Sequence, residues 1–576
     1  MRSDAFWLNF DRDLPYNSFF MSTSTAGSGG LRDRPRPLMD ALMSAGFCGF
    51  LFFFRLGGIG LVGADEPRYA QVAREMLARH DWITPTLGGQ PWLEKPPLYY
   101  WQAMLAFRLF GVQDWAARLP SAVDATLLVI AVYFFLRRFR PGFHLDGALI
   151  TASAAGVIGF ARAVSTDTPL ATVFTIALLA WYAWYENGAR RYLAAFYVFL
   201  GLGTLAKGPV APFLAALIIL VFALVQRQAA LLWRTFWIPG ILLFGVVALP
   251  WYVAVQIRNP DFFRVFILQH NLARFGTNLY HHKEPFWYFL PVLLLGLLPW
   301  TVFVVAALLD SVRIWWADLQ NKFRSDDSLA AFLPVWLLVP VVFFSLSQSK
   351  LPGYILPALP AGALLLAEYI RRQAAEYERP NLLLTALHSI VAAVPMMLAL
   401  MIQYIVLQHR LPWGQALAIS SGFAAALAVG IAITLRTQLG LRMLRFVTMV
   451  PVLLAMAALL RIGAPVLDAT LSSRLLAGVV HDVEAKTLPL AVFQAPREVE
   501  YGLAFYRNQV IDRYERGEIP AGEHLLIAPE GSQARIAGRT AGRRVAYLGS
   551  FAPQGLDYYW VSAPGVQQVP PGMDMH

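Results

Sequence analysis

From Leu38 onward the chain is written in long apolar runs separated by short polar connections. About thirteen of these runs are long enough to cross roughly 30 Å of hydrocarbon, the last ending near Pro465. Residues 38–465 are therefore expected to form an all-α, polytopic membrane domain. Two polar stretches between runs have helical rather than spanning patterns. In Pro67 to Arg79, Tyr69, Val72, Ala73, Met76 and Leu77 recur at helical spacing, opposite Arg68, Gln71, Arg74 and Glu75. Asp261 to Phe275 sets Phe262, Phe263, Phe266 and Ile267 against Arg264, Asn271 and Arg274. Both read as helices lying along the membrane surface. After Pro465 the period changes. Leu488 to Phe493, His524 to Ala528 and Val545 to Leu548 alternate as strands, so residues 466–576 read as a small α/β domain.

Composition sharpens the membrane reading: 57% of the 576 residues are hydrophobic, 14% are charged and the mean hydropathy is +0.51. Soluble domains carry roughly 25% charge. The net charge of +11 does not imply nucleic acid, because excess Lys and Arg gathers in cytoplasmic loops and near anionic lipid. Cys48, the single cysteine, lies in an apolar run and reads as a packing residue. Residues 1–37 read as a disordered cytoplasmic tail without the apolar stretch of a cleavable signal peptide, and Met21 is an alternative start.

Arginine clusters fix an expected orientation. Arg137, Arg138 and Arg140, then Arg190 and Arg191, Arg227 and Arg234, Arg313 with Lys322 and Arg324, Arg371 and Arg372, and Arg436, Arg442 and Arg445 fall at every second connection. The positive-inside rule makes those connections cytoplasmic and the alternate ones, with the C-terminal domain, external. The external connections hold the chemically suggestive residues. They also hold Arg68, Lys95, Lys207, Arg274, Lys283 and Lys350 against the topological bias, a placement that suggests anionic ligands such as phosphates.

Each motif has a bland alternative. Asp65 and Glu66 precede a helix with Pro67 in its first turn; one carboxylate suffices to cap it, which leaves the other for a cavity. Glu94 and Lys95, in the rigid run Trp92 to Tyr100, are either a solvated pair or part of a slot lined by Trp92, Tyr99 and Tyr100. Asp167 opens a span and caps it or faces the site. Lys207 and Lys350 sit at span ends, where snorkelling is the simple reading. His270, His281 and His282 share an outer loop, and with a carboxylate such as Glu94 they would suit zinc or manganese, although no HExxH or CxxC spacing is present.

Taken together, Asp65-Glu66-Pro67-Arg68-Tyr69, Glu94-Lys95-Pro96-Pro97, Asp167, Lys207-Gly208-Pro209 and Lys350-Leu351-Pro352-Gly353-Tyr354 resemble the GT-C, or protein-mannosyltransferase-like, superfamily. Within it the chain is most similar to the bacterial lipid A aminoarabinose transferases. His270 to Tyr288 is similar to their long outer loop, and Arg497 to Tyr506 to their outer domain. The resemblance implies a transferase of the bacterial inner membrane. It would move 4-amino-4-deoxy-L-arabinose from undecaprenyl phosphate to lipid A phosphates on the periplasmic side, giving polymyxin resistance. It implies Asp65 as the catalytic carboxylate, with Asp167 beside it. Arg68, Lys95, Lys207, Arg274, Lys350, Tyr99 and Tyr354 would belong to the donor and its phosphate. A polyprenyl-phosphate-mannose-dependent mannosyltransferase is the near alternative. A secondary transporter is the alternative of another class, but the inverted repeats and broken central helices expected of one are not evident in the sequence.

Overall fold

The computed structural model describes residues 37–273, 284–321, 327–376, 379–406, 412–437, 440–540 and 542–565. Among them, eight helices are long and apolar enough to cross a membrane, and two bent helix pairs would raise that number to ten. The apolar helices Pro37–Phe53 and Val210–Val225 are shorter. Arg190–Lys207 packs between Asp167–Asn187 and Ile238–Arg258. With these three, the expected number of about thirteen segments is reached, but several are too short or too bent to be read as simple spans.

The bends have local causes. His144–Ser153 and Ala155–Ala161 meet at 63°, and Phe289–Gly296 and the helix from Thr301 meet at 114°. Backbone freed at one break is used by the other, since Ala155 N–H donates to the Leu298 carbonyl at 2.8 Å. The helix ends gather at two faces. Arg140 pairs with Asp327 at 2.6 Å and with the buried Glu368 at 2.9 Å, and Arg371 pairs with Glu368 at 2.5 Å. This arginine-rich face lies at the far ends of the helices that begin at Asp114 and Asp167.

At the near ends, the polar stretch after the first span folds as the helix Asp65–Ala78, burying Tyr69, Val72, Ala73 and Met76 as the pattern predicts; Leu77 is only half-buried. Gln71, expected on the polar face, is buried with its amide donating to Glu75 at 3.2 Å, because the helix Arg497–Arg507 packs on this helix. Asp65–Ala78 also packs on Leu98–Phe110. Between them runs a two-stranded ribbon of β1 (Thr86–Leu87) and β2 (Gln90–Pro91), pairing Leu87 with Gln90. The second surface helix is Phe263–Ala273, where Phe262 and Phe266 bury against Trp251 and Tyr252. Phe263, expected on the same face, is 55% exposed, because the helix is wound as a π-helix and the 3.6-residue period no longer holds. Ile267 lies outside the described side chains.

The last membrane helix runs past Pro465 to Leu471, after a π-turn at Leu459–Gly463. Pro465 occupies the first turn of the resumed helix, where it needs no donor. The C-terminal domain then builds a five-stranded sheet from β3 (Leu490–Val492), β4 (Asp512–Arg513), β5 (His524–Pro529), β6 (Val545–Phe551) and β7 (Leu556–Val561), in the order β4-β3-β5-β7-β6. β4, β3 and β5 are parallel, whereas β7 runs antiparallel to both β5 and β6. β7 is buried at every position, as is β5 from His524 to Ala528, and the alternation expected of that run is not found. Both strands lie inside the sheet with both faces covered.

Candidate functional site

Asp65 is the first residue of its helix and keeps 59% of its side chain exposed. Its Oδ1 accepts from Arg68 Nη2 at 2.5 Å. The Arg68 guanidinium lies 5.1 Å from the Trp92 ring, 5.3 Å from Tyr69 and 5.6 Å from Tyr501, so three aromatic faces hold it. Its Nε is buried and finds no partner among the described residues, nor do Trp92 Nε1 and the Tyr100 hydroxyl. Buried donors left open in this way are what a polar ligand would satisfy. Tyr99 is fully buried beside Tyr100, and its hydroxyl is already committed to the Ala117 carbonyl at 2.8 Å.

Glu66 behaves differently from Asp65. Buried in the fold, it accepts from Val62 N–H at 3.0 Å and Val164 N–H at 3.1 Å, and pairs with the equally buried Arg118 at 2.5 Å. Arg118 also donates to the Leu56, Ile59 and Gly60 carbonyls. Neither carboxylate makes the capping bond to the helix start that the simple reading expects; the residue before the helix is Ala64. Glu66 ties three segments together, leaving Asp65 as the one facing out.

A second group comes from three separate elements. Lys207, at the C-terminal end of its helix, forms an ion pair with Asp167 and sits 4.8 Å from the Tyr354 ring. Asp167 N–H donates to Ser165 Oγ at 2.9 Å, holding the turn ahead of the helix. The chain at Gly353 passes directly over the Asp167 carboxylate, where a Cβ would stand 2.6 Å from Asp167 Cγ. Lys350 is buried, with its ammonium donating to the Ser347 carbonyl at 2.6 Å. The snorkelling readings of Lys207 and Lys350 are thus not what the structure shows.

Tyr69 joins the two groups. Its phenol is held well above the usual tyrosine range, first by burial and then by the carboxylates of Asp65, Asp167 and Glu94 around it. The charges of Asp65, Arg68, Glu94 and Asp167 thus reach this one buried ring, and Lys207 joins them through its ion pair with Asp167. Glu94 and Lys95 are half-buried at the start of the proline-fixed stretch. Arg274, His281 and His282, and the side chain of His270, lie outside the described residues. No group of three His, Cys, Asp or Glu side chains among the described residues is placed to hold a metal ion.

The arrangement, with cations and carboxylates set among aromatic rings at one end of the helices, suits a phosphate-bearing substrate. Residues 52–266 match the dolichyl-phosphate-mannose-protein mannosyltransferase family. The crystal structure of ArnT from Cupriavidus metallidurans bound to undecaprenyl phosphate superposes with a TM-score of 0.70, covering 90% of this chain and 97% of that one at 22% identity. The fold is that of ArnT. Curated relatives agree: an undecaprenyl phosphate-alpha-4-amino-4-deoxy-L-arabinose arabinosyl transferase of Pseudomonas aeruginosa is 34% identical over 328 residues, 55% of this chain and 57% of the relative. Its counterpart in Edwardsiella ictaluri is 32% identical over 321 residues, 54% of this chain and 56% of the relative. The chain thus aligns with little more than half the length of these relatives, while the ArnT fold extends over nearly all of it.

Sequence reasoning missed three residues of this site. Tyr69 read only as part of an apolar helix face. Arg118 is a charge four residues into a membrane helix, and that position was itself a signal of a buried partner. Tyr501 had no local signal, since its helix belongs to the C-terminal domain.

Proposed function

We propose that the chain is a lipid-linked-sugar glycosyltransferase of the bacterial inner membrane, moving 4-amino-4-deoxy-L-arabinose from undecaprenyl phosphate to phosphate groups of lipid A on the periplasmic side. The observation that carries this reading is the pair of ion pairs Asp65-Arg68, held against Tyr69, and Asp167-Lys207, held between Gly353 and Tyr354, at the helix ends opposite the arginine-rich face. The names of the relatives and the ArnT fold support it.

In such a transfer the bond from the anomeric carbon to the carrier phosphate breaks and a bond to an acceptor phosphate oxygen forms. The acceptor is already an anion, so no proton has to be removed from it. What the site must supply is cationic charge for the departing carrier phosphate and negative charge near the anomeric carbon as it becomes positive. Lys207, held over Tyr354, and Arg68 and Lys95 are suited to the phosphate; Asp65, exposed at the helix start, is suited to the sugar or its ammonium. Glu94 with His270 remains our proposed place for a divalent ion such as zinc or manganese, and none of these steps depends on it.

Mass spectrometry of lipid A from cells with and without the gene tests the reading. Aminoarabinose on lipid A only when the gene is present, together with raised polymyxin survival, is the expected result. Unchanged lipid A in both strains would refute it. The match to the mannosyltransferase family over residues 52–266 favours a second reading, with polyprenyl-phosphate mannose as donor; transfer from purified carrier-linked sugars separates the two.

A further inference from the structure

The C-terminal domain and the end of the last membrane helix do more than sit beside the other helices: together they grip the backbone just ahead of Asp65. Gly60 N–H donates to Asp468 Oδ1 at 2.7 Å, and Leu61 N–H donates to the Tyr506 hydroxyl at 2.7 Å. That hydroxyl in turn donates to Asp114 Oδ1 at 2.7 Å. Arg474 bridges Asp468 at 2.7 Å and Asp114 at 2.8 Å, and also donates to the Gly57 carbonyl at 3.0 Å. Val62 forms an isolated antiparallel bridge with Ser472, which Gln554 of the same domain holds through its carbonyl at 2.9 Å. From Val62 the constraint passes to Glu66 and Arg118, one residue from Asp65. Tyr501, on the helix that carries Tyr506, meets Arg68 itself.

Gly60 shows how tight this seat is. A Cβ there would fall on Ser472 Oγ and stand 2.6 Å from the Tyr506 hydroxyl and 2.9 Å from Asp468 Oδ1. Hydrogen bonds that consume buried backbone donors of one segment through side chains of another are costly to lose, so the two move together.

We propose that the C-terminal domain, together with the end of the last membrane helix, is a positioning element for the transferase site: Tyr506 and Arg474 of the domain and Asp468 of that helix fix the backbone from Gly57 to Val62, and through it the pose of Asp65 and Arg68. The proposal rests on the transferase reading, and its test separates the two. Tyr506→Phe removes one hydroxyl and keeps the ring; Gly60→Ala forces the segment off its seat and removes no hydrogen-bonding group. Tyr514→Phe is the matched control, because its hydroxyl bonds His524 inside the same domain, away from the grip. Hydrogen exchange on the full chain in detergent should show the Gly60 and Leu61 amides opening about tenfold faster in the first two variants, the scale of one lost hydrogen bond. In the transfer assay kcat should fall about tenfold in both, with KM within twofold, as expected when reacting groups are misplaced rather than binding lost. Tyr514→Phe should match the wild-type chain in both measurements. Unchanged exchange, faster exchange with full kcat, or an equal loss of kcat in Tyr514→Phe would each overturn the proposal. A wild-type chain without transfer activity would instead refute the transferase reading, and the exchange arm would still decide whether the domain holds the loop.

Discussion

Gly353→Ala tests the site without touching a charged group. The added methyl would lie 2.6 Å from Asp167 Cγ and Oδ2 and 2.9 Å from Oδ1, where ordinary contact begins at 3.4 Å. Relief therefore requires a retreat of about 0.8 Å, and Asp167 has only two side-chain torsions with which to make it. It is also tethered, with Lys207 on one oxygen and Ser165 on the other. The displacement falls on the ion pair, and displacements near 1 Å can cost about a hundredfold in rate. We expect kcat to fall between about tenfold and a hundredfold, or about 1.4–2.7 kcal/mol in the barrier. A steady-state transfer assay on purified protein measures it, with thermal unfolding as the check on folding. Because the effect acts through Asp167, Gly353→Ala should add little in an Asp167→Asn background. A Gly353→Ala enzyme with wild-type kcat, or a fully additive double variant, would refute this account of Asp167.

Asp65→Asn should leave expression and melting unchanged while removing most transfer. Glu66→Gln should instead cost about 3 kcal/mol or more of stability by stranding the buried Arg118 charge, with a smaller loss of transfer than Asp65→Asn, and a normal melting temperature would contradict that pairing. Lys95→Ala should weaken binding of undecaprenyl phosphate and reduce transfer severely, with only partial rescue by Lys95→Arg; unchanged carrier affinity would shift the phosphate site toward Lys207 and Lys350. His524 gives the C-terminal domain a pH dependence. Burial, followed by the nearby Arg543 charge, lowers its pKa below the ordinary 6.5, while Gly522 holds it in the opposite sense. The unfolded chain then binds a proton that the folded domain refuses. Stability is full above about pH 6.5 and declines as the pH falls below it. Melting followed from pH 8 to pH 5 should show this decline, and His524→Gln should flatten it; greater stability at the acidic end would reverse the sign and reject the argument.

The sequence by itself determined the layers of this protein, because long apolar runs must become helices in lipid and short apolar runs bounded by Gly, Pro and Asn become strands, although the burial of β5 and β7 on both faces came only with the tertiary structure. The helix after the first span was equally legible, since its period placed Tyr69, Val72, Ala73 and Met76 inward before any contact was known. What the pattern left open was which of two adjacent carboxylates faces the site. Asp65 and Glu66 differ only in what lies across from them, and Arg118 and the Val164 amide, far away in sequence, take Glu66. Gly353 over Asp167, Lys207 on Tyr354 and Tyr501 on Arg68 are likewise products of three-dimensional packing between distant segments. Periodicity reports a residue's relation to its own helix or strand. The partners that decide chemistry come from other elements, and only the tertiary structure sets them face to face.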